Sequence, residues 1–406
     1  MERVILHCDM NNFYASVECM LNPTLRDHPV AVCGDSELRH GIVLAKNYLA
    51  KAYGVETGEP TFMAKRKCPK LITVPPHFDE YMKISELARR IYYDYTDLIE
   101  PLGLDECWLD VTGSVKLFGD GETIAHTIRE RIKRELGVTI SVGVSFNKVF
   151  AKLGSDMKKP DAVTVIGKAD FREKIWHLPA TDMIGVGRSA GESLAKMGVT
   201  TIGELAAMPV GYLKYKLGKV GEQMHRNANG LDLDEVRIRN LEIPDKSVGH
   251  GVTAVRDIIN NDEVYVMLTE LSDEIGHRLY SSDKMAEGVA ISVKDTAFNT
   301  ISRQAVLPTP TQSPSELVRV AYGLFLKNYT WERNIRAISI RAINLISAAS
   351  PVQLDIFSCA DRLCKTESRD RAVENIRNRF GRGSIVSAAA MINGKMPRGE
   401  HPRTIF

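Results

Sequence analysis

The sequence has no apolar run of 18 residues, so it offers no segment that could cross a bilayer as a helix. It opens at once on strand-like sequence, without the basic, apolar and small-residue stretches of a secretory leader. Its seven cysteines are odd in number and include no C-x-x-C pair, which argues against a disulfide framework or a zinc ribbon. Together these absences point to a reducing, cytoplasmic compartment. Excess charge of one sign is missing too. The net charge is +2, so any face for a polyanion must come from local segregation. Internal repeats and long low-complexity tracts are absent. What is there is ordinary for a globular protein: 406 residues, 44% hydrophobic and 26% charged. That length is enough for about two to four domains, each able to bury a core.

One stretch stands out, Leu104-Asp105-Glu106-Cys107-Trp108-Leu109-Asp110. Two carboxylates sit side by side in an otherwise apolar run, just after the turn signal Pro101-Leu102-Gly103. In a straight strand neighbours point to opposite faces, but at the turn of a hairpin they can converge. A third carboxylate, Asp9, ends the apolar run Val4-Ile5-Leu6-His7-Cys8. If the two strands are neighbours, three acids meet at one end of a sheet. Crowded carboxylates resist ionising unless cations neutralise them, and oxygen-only ligands suit Mg²⁺ or Mn²⁺. The alternative is that Asp-Glu is a solvated turn.

Taken in order, residues 3–8 read as a buried strand and 11–18 as the start of a helix with asparagine near its cap. Short strands over 29–33 and 41–46 lead into a helix over 47–54, ended by glycine. Tyr48 and Lys51 are three apart on it, so they share a face that could hold a phosphate. A long amphipathic helix is expected over 79–99. The carboxylate hairpin follows, then a second amphipathic helix over 123–136 and a strand over 140–144. Strand, helix, hairpin, helix, strand is the ferredoxin-like plan, with 11–77 inserted after the first strand. Residues 147–161 form a helix carrying Lys148, Lys152, Lys158 and Lys159, stopped by Pro160. It is either a solvated charged helix or a phosphate clamp beside the carboxylates.

Further on, Gly185-Val186-Gly187 separates two short helical patterns, a helix-hairpin-helix that would offer backbone N–H groups to a DNA phosphate. A weaker second copy begins at Leu217-Gly218-Lys219-Val220-Gly221. Residues 246–348 read as a second α+β domain, with helices over 262–281 and 314–329 and a last strand over 335–343. On that strand Ile338 and Ile340 share one face, Ser339 and Arg341 the other. Eleven basic residues balance eleven acidic ones in this domain, so a DNA-binding face depends on how they segregate. From 358 onward ten basic residues face five acidic ones.

Six segments then match one family in order: CDMNNFYASVE, NYLAKAYGV, LDECWLDVT, GVSFNKVFAKLGSDMKKP, IGVGRSAGESLAKMGV and KSVGHGVT. Over about residues 1–350 the chain resembles the Y-family, DinB/UmuC-type, translesion DNA polymerases. The resemblance implies an α+β multidomain protein. Its ferredoxin-like palm would be residues 1–10 and 78–166, its inserted fingers 11–77, its helix-hairpin-helix thumb 167–234. A linker at 235–245, a separate α+β little finger at 246–348 and a tail at 349–406 would follow. It implies two Mg²⁺ ions, with Mn²⁺ as a possible substitute, on Asp9, Asp105, Glu106 and the Met10 carbonyl. Nucleotide contacts would fall on Phe13, Tyr14, Tyr48, Lys51 and Lys159, with Tyr14 as the gate against a 2′-hydroxyl. Gly185, Gly187, Ser339 and Arg341 would contact DNA. Gln353-Leu354-Asp355-Ile356-Phe357 resembles a sliding-clamp peptide, with Gln353, Leu354, Ile356 and Phe357 as the binding positions. Many relatives carry arginine where Lys51 sits, and 49 residues follow the clamp-like peptide here. The expected activity is template-directed addition of dNTPs to a primer end on primer-template DNA, in lesion bypass, by a monomer with no membrane partner. The alternatives are a catalytically silent DNA-binding protein on the same scaffold and a two-metal nuclease.

Overall fold

The structure, a computed structural model, describes residues 2–35, 39, 41–237, 245–352 and 360–386. It holds two compact units, one made of most of the chain before residue 242 and the other of most of the chain after it.

In chain order the first unit contains β1 (Ile5–Met10), α1 (Phe13–Leu21), β2 (Val30–Cys33), β3 (Val43–Lys46), α2 (Tyr48–Ala52), α3 (Thr61–Lys67) and β4 (Ile72–Val74). Then come α4 (Phe78–Tyr93), the hairpin strands β5 (Ile99–Pro101) and β6 (Glu106–Asp110), α5 (Val115–Phe118), α6 (Gly121–Leu136), β7 (Ile140–Ser145), α7 (Lys148–Met157) and β8 (Val163–Ile166). The main sheet has the order β5-β6-β1-β7-β8. Its first four strands, with α4 and α6 as crossovers, make the ferredoxin-like arrangement. The strand β8, absent from the sequence reading, adds in parallel to β7. The inserted segment builds its own small sheet, β3-β2-β4, over a separate core that includes Ala31, Val43, Ala50 and Ala64.

β1 is buried along its whole length because both faces of the sheet are covered. Leu6, Cys8 and Met10 join a core with Tyr81, Tyr92, Ile124, Ile128 and Ile132 of α4 and α6. Ile5 belongs instead to a cluster with Trp108 and Ala151 of α7. The strand period of two then puts His7 and Asp9 on the α7 face. On β6 the same alternation sends Cys107 and Leu109 to the helical core and Trp108 and Glu106 to the α7 face.

Two local expectations are corrected. The helix expected over 79–99 stops at Tyr93, because residues 99–101 are needed as the hairpin's first strand. Asn12 does precede α1, but in the left-handed region (φ 48°) and without a side-chain capping bond. Its neighbour Asn11 is the working residue. Its side chain donates to Ser141, accepts from Thr139 and accepts from the backbone N–H of Asp161.

The rest of the first unit is helical: α8 (Phe171–Ile175), α9 (Arg188–Lys196), α10 (Ile202–Ala207) and α11 (Val210–Ala228). Gly185 holds φ +92° in the turn before α9, a conformation that favours glycine. α11 is two helices joined at Gly218 (φ 65°), which gives the weaker second copy a real bend.

The second unit has the all-antiparallel sheet order β11-β10-β12-β9, from β9 (Ser247–Ile258), β10 (Lys284–Asp295), β11 (Thr300–Thr311) and β12 (Ile335–Ser347). Helices α12 (Asn261–Ser281) and α13 (Pro314–Asn328) cover one face, where Ile338 and Ile340 are buried. α14 (Ala360–Phe380) docks through polar contacts, with Arg377 paired to Asp273 at 2.9 Å. No helix among the described residues is long and apolar enough to cross a membrane.

Candidate active site

The three acids meet because two strands are in register. Asp9 pairs with Glu106 across β1 and β6, and the Met10 N–H donates to the Asp105 carbonyl at 3.0 Å. Asp105 lies in the hairpin turn ahead of β6, free of the strand alternation that would have turned it away. Asp9, Met10, Asp105 and Glu106 therefore line one cavity of about 350 Å³. Phe13 and Tyr14 of α1, Leu44, Ala45 and Lys46 of β3, and Asp156 and Lys159 complete much of its wall.

α7 supplies the opposite charges. Asn147 caps it by accepting from the Phe150 N–H, and Gly143 of β7 lets it lie directly on the sheet. A Cβ at Gly143 would sit 1.9 Å from the Ala151 carbonyl oxygen. This close approach brings the Lys152 ammonium to 2.8 Å from Glu106 and 3.3 Å from Asp9. Lys159, just past the helix, reaches Asp9 at 2.8 Å. Behind Glu106 lies fully buried His7. Ser155 donates its hydroxyl to the Lys152 carbonyl (2.7 Å), so it accepts from the Nδ1–H of His7 (2.9 Å). That leaves His7 Nε2 bare, 3.7 Å from Glu106 and without a hydrogen-bond partner among the described residues. Burial, then Lys152 and Lys159, holds the His7 imidazole well below its usual range, so it stays neutral.

Burial raises the Asp105 carboxyl, and the Asp9 charge adds to it. Burial also pushes Glu106 up to about 7, with Lys152 opposing and Asp9 adding. On Lys152 and Lys159 the sign is reversed. Burial alone would lower them, but Asp9 and their other acidic partners win and raise both. The Lys152 ammonium lies between Asp9 and Glu106, and the Lys159 ammonium sits against Asp9. Among the described residues no three acidic, imidazole or thiol groups close round a common point. The donor set is nevertheless all oxygen, crowded, and already drawn to cations, which fits a hard divalent ion.

Tyr14 faces the cavity as a flat wall. Its ring stacks on Tyr81 at 4.3 Å and 11°, with Phe78 edge-on at 5.8 Å. Phe13 is buried beside it in the core. Tyr48 and Lys51 share a face of α2 as the spacing required, the ammonium 5.8 Å from the ring centre, but neither lines the cavity itself. Tyr48 is near enough to feel Lys159 and Asp9, although burial is the main cause of its raised phenol.

Not every lysine of the α7 stretch serves the site. Lys148 is bound to both oxygens of Glu100 at 2.7 Å and lies 4.5 Å from the Trp108 ring centre, so it is a structural cation. The sequence reading offered Lys152 only as part of a phosphate clamp beside the carboxylates, and it missed Asp156, His7 and Lys46. A signal existed for Lys152, Asp156 and His7: 152, 156 and 159 repeat at helical spacing, and His7 precedes Asp9 by the strand period.

Two further surfaces carry the residues expected to contact DNA. Gly185 and Gly187 have open space where a Cβ would be. In the second unit the outer face of the sheet carries Ser339 beside Gly251 and Ser292, and Arg341 beside Gly249 and Ala290. Lys294 and Ser302 continue it. No carboxylate stands in these register positions. Residues 353–357 lie outside the described residues.

Comparison with known proteins agrees with this arrangement. Residues 8–156 match the model of the impB/mucB/samB family, and residues 245–356 match that family's C-terminal domain. Residues 181–232 match a DNA polymerase-iota thumb domain. The chain is 52% identical to a DNA polymerase IV of Acetivibrio thermocellus, over 95% of this chain and 96% of that one. It is 36% identical to DNA polymerase IV 1 of Bacillus subtilis, over 96% and 93%. A solved Y-family DNA polymerase chimera has the same fold, with TM-score 0.75 and 24% identity over 85% of this chain and 99% of the other.

Proposed function

The chain belongs to the impB/mucB/samB family of Y-family DNA polymerases, and we propose that the cavity between β1, β6, α7 and α1 is where it extends a primer. The protein is a DNA-directed DNA polymerase that adds dNTPs to a primer end under the direction of a template. The observation that carries the site is the meeting of Asp9, Asp105 and Glu106 with Lys159 and Tyr14 around one cavity.

Asp9, Asp105, Glu106 and the Met10 carbonyl would hold two divalent cations, Mg²⁺ by preference. When bound, such a pair stabilises the attacking primer oxygen and the leaving phosphate. The chain's own residues do the rest. Lys159 exchanges Asp9 for a phosphate oxygen of the incoming nucleotide, and Tyr48 and Lys51 hold the outer phosphates. The Tyr14 ring, stiffened by Tyr81, closes the space beside the sugar's C2′. The Gly185–Gly187 turn and the Ser339–Arg341 strand grip the DNA backbone without reading bases. Leu44, Ala45 and Lys46 of the small sheet and Thr57 after it also line the cavity, and the likeness to Y-family polymerases supports lesion bypass as the use of this site. Leu354, Ile356 and Phe357 would fill a pocket on a sliding clamp and raise effective affinity ~10²–10⁴-fold by tethering.

Primer extension tests this reading. Asp105→Ala and Glu106→Ala should each lower extension by at least ~10²–10³ while DNA affinity stays close to that of the unaltered chain. Near-normal extension by either variant removes the assignment. In the same assay, deleting 353–357 should reduce synthesis on clamp-loaded DNA and spare it on bare DNA; equal loss on both would make those residues structural.

A further inference from the structure

Asp156 takes no part in the steps above, yet it holds both ammonium groups of the site. It stands on α7 four residues after Lys152, so these two share one helical face, and Lys159, just past the end of the helix, also reaches it. One carboxylate oxygen is 3.2 Å from Lys152 and the other 2.9 Å from Lys159. Each lysine therefore has two kinds of partner at once. Lys152 touches Asp9 and Glu106 on the inner side and Asp156 on the outer side, and Lys159 touches Asp9 and Asp156. The inner partners are deep, with 5% of the Asp9 side chain exposed. Asp156 sits at the rim with 44% exposed.

A divalent ion cannot share Asp9 and Glu106 with two ammonium groups about 3 Å away, because like charges at that distance in a half-buried site repel strongly. The lysines must withdraw. A buried cation leaving its anion needs another partner or water, and here the partner is already in contact. We propose that Asp156 is a positioning residue that takes over Lys152 and Lys159 when a divalent cation enters. It thereby makes the exchange of ammonium for metal at Asp9 and Glu106 favourable. His7, the other titratable group facing Glu106, stays neutral and does not compete. The inference rests on the reading of Asp9 and Glu106 as metal ligands.

Metal binding tests the exchange. Mn²⁺ alone is titrated into the full-length chain and free Mn²⁺ is read by electron paramagnetic resonance. Asp156→Asn should weaken binding roughly threefold to tenfold, the scale of coupling within one ion-pair network. Lys152→Met should strengthen it, since one competitor is gone. In a Lys152→Met/Lys159→Met background, which lacks both ammonium groups, Asp156→Asn should change binding less than about twofold. If instead it weakens binding by the same factor in both backgrounds, Asp156 acts as a ligand or as general negative charge and the proposal is wrong. Asp9→Ala separates the two readings. If it binds Mn²⁺ like the unaltered chain, the metal site itself fails and takes this inference with it. If Asp9→Ala loses Mn²⁺ while Asp156→Asn binds normally, only the role of Asp156 is overturned. Thermal melts of each variant confirm that the fold is intact.

Discussion

Tyr14 is held in one orientation by neighbours that are themselves fixed. Tyr81, stacked on it, donates its hydroxyl to the buried Glu18, which His77 also contacts at 3.0 Å. A ring so braced cannot swing aside for an added hydroxyl. Apolar pockets usually reject a hydroxyl by only about 10², and the bracing should keep at least that much. Tyr14→Ala is expected to admit ribonucleotides at least ~10²-fold more readily and still to extend with dNTPs. Paired dNTP and rNTP insertion series measure this, and unchanged sugar discrimination would remove Tyr14 as the gate. Glu106 gives a pH signature at the same scale. Its carboxyl is pushed up to about 7, above its unfolded value. Between those two values the folded chain keeps a proton that the unfolded chain has released, so stability falls as pH rises through the window. The metal-free chain should therefore melt at a lower temperature at pH 7 than at pH 5, and Glu106→Gln should flatten that dependence. A profile that is the same in both proteins would mean that Glu106 is not the titrating group.

At the scale of elements, α7 decides the site more than any strand does. It carries Lys152, Ser155 and Asp156, and its closeness to the sheet depends on Gly143. A methyl group there would overlap both the Ala151 carbonyl and the Ser155 N–H, backbone atoms that cannot rotate away. Gly143→Ala should destabilise the chain by about 3 kcal/mol, the upper part of the usual range for overpacking. It should also weaken extension by moving the lysines off the carboxylates. Chemical denaturation beside primer extension checks both, and a variant of normal stability would show that α7 can shift without loss. The helix expected over 79–99 ended early for a related reason. Its continuation is compatible with the local pattern, but β6 needed a partner at residues 99–101, and tertiary pairing overrode propensity.

The whole molecule must hold DNA of any sequence. The outer sheet face of the second unit bears Arg341 and Lys294 among small neutral residues, without an acidic group in the register positions around them. Binding there should be electrostatic. The slope of log K against log salt should be about −0.9 per neutralised phosphate, and Arg341→Ala should make it shallower by about one unit for every duplex sequence. Fluorescence anisotropy on two unrelated duplexes over a salt series is the measurement. An unchanged slope, or a loss confined to one sequence, would count against this face.

Local sequence set the three acids and most of the ladder of elements, though not β8 or the end of α4. Apolar runs of period two and 3.6, with Asn147 before α7 and Gly137 after α6, are local signals that the structure keeps. An Asp-Glu pair at a turn signal and an Asp at a strand end are also local, so Asp9, Asp105 and Glu106 could be named before any distance was known. Segregation of charge was not legible, because eleven basic and eleven acidic residues say nothing of which side of a sheet each one faces. Nor were the partners of the lysines. Four lysines in one short stretch look alike in sequence, yet Lys148 is tied to Glu100 and Lys152 to the carboxylates. The difference arises from which way each point of α7 turns against the sheet. Only long-range packing sets that, because the free energy of a buried charge depends on every group around it and not on its neighbours in the chain.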